Sequence, residues 1–255
     1  MHAADLATAR HLVRPRRVVV PHLAEAEALI EHLTLPGAGA NLYKEPDEPN
    51  IVTWGVPGEP GTWSNQSQCA SFVTAVLRRA YPSWARSRFF TRHFGSVSPF
   101  ARDYQRVFAA GGARHFRPVR RVATLRPGDL IAIDYANAQD TNTGHVVMVR
   151  RTRGVYTAPS AGLNFDGEIQ YAVQVADCTA EPHGLAGVGN YDDFPDTRIA
   201  GDRRAQGVGY GHMMFYADEL TGEFTRYRWS VNTSSAGVVG IEERPVSAAR
   251  VISVG

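Results

Sequence analysis

Cys69 stands where the polar run "WSNQSQ" gives way to an apolar stripe. Phe72, Val73, Val76 and Leu77 follow it at +3, +4, +7 and +8, the spacing of one face of an amphipathic helix. The pattern predicts a helix from about Ser67 to Ala80 with Cys69 in its first turn, on the inward face. Unpaired backbone N–H groups and the helix dipole favour an anion at that position, and a thiolate is such an anion. The competing use is packing, because free cysteine is often a small buried hydrophobe. A nucleophilic cysteine needs a base, and the base needs a partner that orients it. "TGHVVMVRR" puts His145 at the start of a strand, just after a polar turn, and "YAVQVAD" closes another strand on Asp177. In the order Cys69, His145, Asp177 these residues fit a nucleophile, its base, and the carboxylate that fixes the imidazole tautomer.

Other residues compete for these roles or could assist them. Asn65 and Gln66 are side-chain amides close to the cysteine, suited either to meeting an oxyanion with the backbone N–H of Cys69 or to capping the helix. Trp63 and Trp54 lie in the Pro/Gly-rich stretch ahead of Cys69, as groove walls or as packing anchors. His183 in "EPHG" and His212 in "YGHMMF" are rival bases. Arg198 is expected to pair with Asp192, Asp193 or Asp196. Cys178 follows Asp177 directly, so on a strand it faces the other way and is expected to be structural. A disulfide between Cys69 and Cys178 is left open. His145, Asp177, Cys178 and His183 lack tight metal-ligand spacing, so no metal and no cofactor is expected.

These residues need elements to hold them. "HLAEAEALIEHL" (His22 to Leu33) reads as a helix, and Leu35 to Asn65 as a long irregular connection. "SPFARDYQRVFAAGG" reads as a helix capped by Ser98, with Pro99 first inside and Gly111 as the stop. From residue 115 the pattern turns to strands: "GDLIAIDY", "HVVMVRR", "IQYAVQVAD", "YGHMMFYAD", "EFTRYRWSV" and "AGVVGIEERPV". Helices followed by strands predict an α+β fold, helices packed on a mainly antiparallel sheet. The expected organisation is an N-terminal helical extension, residues 1–50, on one domain of residues 51–255.

Together "NQSQCASFV", the Pro127-Gly128-Asp129 turn of "LRPGDLIAI", "TGHVVMV" and the polar residue ending "YAVQVAD" resemble the NlpC/P60 and CHAP group of papain-like cysteine hydrolases. The resemblance covers roughly residues 50–180. It departs from the group's pattern at Gln68-Cys69-Ala70, where the group commonly has Asp-Cys-Ser or Asp-Cys-Gly. It departs again at Asp177, where His, Asn, Gln or Glu is common. The resemblance implies a papain-like fold and a thiol amidase or peptidase acting through an acyl-enzyme, with peptide or peptidoglycan-like substrates. Acyl transfer by the same nucleophile, or an inactive binding module of the same fold, are the alternatives.

Composition bounds the rest. The chain has 255 residues, 44% hydrophobic and 20% charged, and a formal net charge of +2. That balance is too mild to argue for a nucleic-acid partner: the basic residues, mostly arginine, read as scattered and interleaved with acids, and the one dense cluster, Arg14 to Arg17, reads as a short solvated face. No run approaches the ~20 apolar residues of a membrane span. "RRVVVPHLA" makes no signal peptide, so the sequence as written reads as cytoplasmic, or as exported if a leader was removed; the compartment stays undecided.

Overall fold

The computed structural model describes residues 19–137 and 142–252; the basic cluster Arg14 to Arg17 lies outside them. The chain begins with α1 (Pro21–Leu33), β1 (Asn41–Tyr43), β2 (Ile51–Thr53) and β3 (Ser64–Ser67), then α2 (Cys69–Ala80), α3 (Ser87–Phe94) and α4 (Ala101–Ala109). Strands follow: β4 (Phe116–Val119), β5 (Leu130–Asp134), β6 (Gly144–Val155), β7 (Glu168–Thr179), β8 (Ile199–Ala200), β9 (Arg203–Arg204), β10 (Gly207–Asp218), β11 (Phe224–Arg228), β12 (Val239–Gly240) and β13 (Val246–Val251). The fold is α+β. Eight strands form an antiparallel sheet in the order β12-β11-β10-β7-β6-β5-β13-β4.

Both faces of this sheet are covered, which explains why "LIAI" and "HVVMV" are continuous apolar runs instead of alternating ones. Leu130, Ala132, Val146, Met148, Ala176 and Cys178 face the helices and pack with Phe72, Leu77, Tyr104 and Phe108. Ile131, Ile133, Val147, Val149, Val173 and Val175 face the other way, against Val122, Leu125, Phe215 and Phe224. The stripe Phe72, Val73, Val76 and Leu77 is fully buried. Each such side chain stabilises the fold by about 1.5–3 kcal/mol, and together they clamp α2 onto the sheet.

Some boundaries differ from the expectation, each for a local reason. Helix α2 begins at Cys69 because Ser64–Ser67 is a strand, parallel to β1 and antiparallel to β2. Helix α4 begins at Ala101, where the Phe100 N–H donates to Asp103 Oδ2 at 2.9 Å; Ser98 is tied to Ser96 instead of capping. Helix α3 was not expected; its only buried residues are Phe90 and Phe94, too few to show a helical period in sequence. Of "AGVVGIEERPV" Val239–Gly240 pairs as a short strand, and its last residue, Val246, opens the small-residue run "VSAARV" that forms β13 between β5 and β4. Within the segment expected as an extension, Leu23, Leu29 and Ile30 of α1 join the same core as α2. Strand β1 pairs with β3 immediately ahead of the cysteine.

Candidate active site

Cys69 is the first residue of α2. Gln68 caps that helix through a reciprocal box: its side chain accepts the Ser71 N–H, and its own N–H donates to Ser71 Oγ at 2.9 Å. The helix start lies over the start of β6, with Cys69 Sγ 3.8 Å from the Gly144 carbonyl. Gly144 is required there. Its φ is +146°, and a Cβ would collide with the Ile133 carbonyl. The next residue, His145, lies close enough to Cys69 for the charge of a thiolate there to act on its imidazole. His145 Nε2 lies 2.7 Å from Asp177 Oδ2. The three residues picked from separate segments therefore meet as one chain of contacts. Cys69 is 5% exposed, His145 4% and Asp177 0%.

Asp177 holds more than His145. His183 Nε2 lies 3.0 Å from the same Oδ2, and its Nδ1 faces the Trp229 carbonyl at 2.8 Å. Arg198 Nη2 lies 2.9 Å from Asp177 Oδ1, a charge contact without an aligned hydrogen bond. Arg198 in turn forms a two-pronged pair with Asp196, at 2.9 and 2.8 Å. Space for this cluster comes from β10. Asp177 lies opposite Gly209, and Val175 opposite Gly211. A Cβ on Gly209 would press on the Arg198 side chain, and one on Gly211 would collide with His183 and Asp196. The alternating glycines of "GVGYG" thus leave a trough in which the polar groups lie on the strand. Trp229 closes it from above, 4.2 Å from the His183 ring and 4.9 Å from the His145 ring.

The charges follow from these contacts. Burial alone would raise the Asp177 carboxyl, but the Arg198 charge, then His183 and His145, hold it well below the usual carboxylate range. Burial would lower His145, yet the charge of Cys69 and the hydrogen-bonded Asp177 carboxylate lift it to about 9. His145 is thus protonated at neutral pH. Its folded value lies above the ~6.5 of an unfolded histidine, so its contribution to stability is complete below about pH 6.5 and is lost as pH rises through 9.

Other expected site residues lie elsewhere. Asn65 is fully buried: its amide nitrogen donates to Asn41 Oδ1 and the Leu42 carbonyl, and its oxygen accepts from Ser67. It braces β1 against β3 because, in a strand, it faces into the protein and not towards the sulfur. Gln66 points the other way from the same strand and lines neither arm of the cleft. Trp63 is buried, stacked on His32 at 3.8 Å, with its N–H on the Val56 carbonyl. Trp54 donates to Glu25. His212 is packed near Phe194 and faces the Pro195 carbonyl. Cys178 is a free thiol, as is Cys69. It lies on the helix-facing side, donates to the Ser67 carbonyl, and burial pushes it up to about 12.

The cleft has two arms that meet at Tyr43, Lys44, Gln68 and Gly144, each about 500 Å³. Cys69 opens on to one arm, with Ser71, Phe100 and Thr143; His145 opens on to the other, with Tyr135, Glu181 and Trp229. Tyr43 and Tyr135 both feel the Cys69 charge, and burial, the larger cause, pushes both phenols up so that they stay neutral donors. Sequence reasoning missed Gln68, Tyr43 and Tyr135. Gln68 carried a signal, adjacency to Cys69; the tyrosines carried none.

His145, Asp177 and His183 bring three ligand-type atoms within 4.8 Å of one another. The donor set suits zinc chemically, but the arrangement does not fit it. Asp177 Oδ2 already lies at hydrogen-bond distance from both Nε2 atoms, so a metal there would have to displace both hydrogen bonds. Arg198 also supplies a cation to that carboxylate. Activity is therefore expected to survive dialysis against EDTA unchanged; loss on chelation with recovery on adding Zn²⁺ would show that a metal holds the three residues together.

No family model matches the chain, and no solved structure matches it. It is 28% identical over 203 residues to uncharacterized protein R653 of Acanthamoeba polyphaga mimivirus, covering 77% of this chain and 82% of that protein.

Proposed function

We propose that the protein is a cysteine-dependent amide hydrolase of papain-like type, acting on peptides such as those of peptidoglycan. The observation that carries this reading is the buried run from the Cys69 thiol through His145 to Asp177, opening on a two-armed cleft. Cys69 attacks the substrate carbonyl as the thiolate of an ion pair with the protonated His145. The tetrahedral oxyanion is met by the free N–H of Cys69 at the start of α2 and by neutral donors on the wall, Tyr43 foremost. His145 then protonates the leaving amine, and water enters to release the acyl group. Asp177 keeps the imidazole aligned throughout; neutral once its proton has gone to the leaving amine, His145 takes a proton from the attacking water and is charged again when the acyl group leaves. Substrate extends to both sides of the sulfur, one side in each arm. Both arms open to solvent, which favours water over a second bound nucleophile as acyl acceptor.

The test is turnover of peptidoglycan fragments and of small peptide and ester substrates, with products identified by mass spectrometry. The reading expects cleaved amides; transfer of the acyl group to an added amine in preference to water would identify a transferase. The pH profile adds a second check. The alkaline limb of kcat/KM is expected near pH 9, where His145 loses its proton. In Asp177→Asn that limb moves to lower pH, because the carboxylate that raises His145 is gone while its burial remains. An unmoved limb would assign it to another group.

A further inference from the structure

A second cleft, about 500 Å³, lies between the end of α2, helix α3 and the turn before β4, and shares no lining residue with the two arms around Cys69. Arg86, Arg88, Arg92 and Arg114 line it, and no Asp or Glu does. Arg88 and Arg92 sit one turn apart on α3, a spacing at which like charges repel. Among the described residues, none of the four has an ion-pair partner. The cleft floor is aromatic: Trp84 stacks on His115 at 4.2 Å, and Phe89 packs against His93 at 4.7 Å. His115 is 5% exposed and its Nδ1 has no hydrogen-bond partner.

The sequence around it is equally one-sided. From Arg78 to Arg126 there are twelve arginines and a single acid, Asp103, in a chain whose net charge is only +2. The whole-chain balance conceals this block. Its field is felt locally: burial, then the Arg92 charge, lowers His93, and burial, then Arg114 and His93 against an opposing backbone hydrogen bond, lowers His115.

We propose that this cleft binds a compact, multiply charged phosphate ligand, held by the guanidinium groups of Arg86, Arg88, Arg92 and Arg114 over the Trp84–His115 floor. Guanidinium forks match phosphate oxygens two at a time, and the volume lies within the range of small-molecule sites. The unpartnered His115 nitrogen completes the donor set on protonation. The site is separate from the Cys69 cleft, so it stands whether or not the hydrolase reading does.

Isothermal titration of the full chain with tripolyphosphate and with ATP tests this. Saturable 1:1 binding is expected, weakening as salt rises, and at least tenfold weaker in Arg88→Ala/Arg92→Ala and in Arg114→Glu, both checked for an unchanged melting temperature. The two probes separate a bare phosphate chain from a nucleoside-bearing one. By NMR, the His115 ring is expected to titrate at higher pH with ligand present, because the anion offsets Arg114. No saturable binding, or equal affinity in the variants, would overturn the proposal. So would far tighter binding of an oligonucleotide or of anionic vesicles through the same arginines, which would point to an extended polyanion.

Discussion

Cys69→Ala and His145→Ala are each expected to lower kcat/KM on an amide substrate by about 10⁴-fold or more, and the double variant by no more than either alone. The thiol and imidazole act as one unit: without His145 the sulfur has no imidazolium partner and the leaving amine no acid, and without Cys69 the imidazole has no nucleophile to serve. Non-additivity is the informative part. Two residues that contribute independently would multiply their losses. Neither substitution should unfold the protein, since Cys69 leaves only a small space at a cleft wall and His145→Ala removes one imidazole from a carboxylate still held by His183 and Arg198. Matching melting curves with additive losses would break the link between sulfur and imidazole.

The largest effect on stability is expected from Arg198→Met. Arg198 is 5% exposed and lies between two buried carboxylates, Asp177 and Asp196. Removing one member of a buried ionic cluster costs about 3–5 kcal/mol, because it leaves uncompensated charge in a low dielectric. For a chain of this size that corresponds to a melting temperature lower by roughly 10 °C. Adding Asp196→Asn should restore part of the loss, since one of the two stranded charges is then gone. A cluster held by packing alone would show no recovery, and the double variant would melt no higher than the single one. The same substitution lowers activity, as Asp177 loses the charge that keeps it ionised beneath His145.

Local periodicity made the nucleophile, the base and the carboxylate readable. Cys69 is tied to a helical stripe, His145 to a strand start and Asp177 to a strand end. The polar lead-in was read as a cap and oxyanion donor because nothing local distinguishes a loop from a four-residue strand. Once Ser64–Ser67 pairs with β1 and β2, its side chains alternate, and Asn65 turns inward. The Arg198–Asp177 contact was illegible, because the loop bringing Arg198 back over β10 has no sequence period. Its trace was present, however, in Gly207, Gly209 and Gly211, whose alternation in a strand marks a face on which other groups lie. The arginine block was hidden differently: a whole-chain charge averages a basic helical region with an acidic remainder.

The most direct test of the Cys69–His145 pair is the rate of alkylation of each thiol against pH, followed by peptide mass spectrometry, in the wild type and in His145→Ala. Cys178, buried and pushed up to about 12, is an internal control within the same molecule. The pair predicts that Cys69 is modified far faster than Cys178 and that His145→Ala slows Cys69 at least tenfold. Equal rates at Cys69 in the two proteins would contradict it.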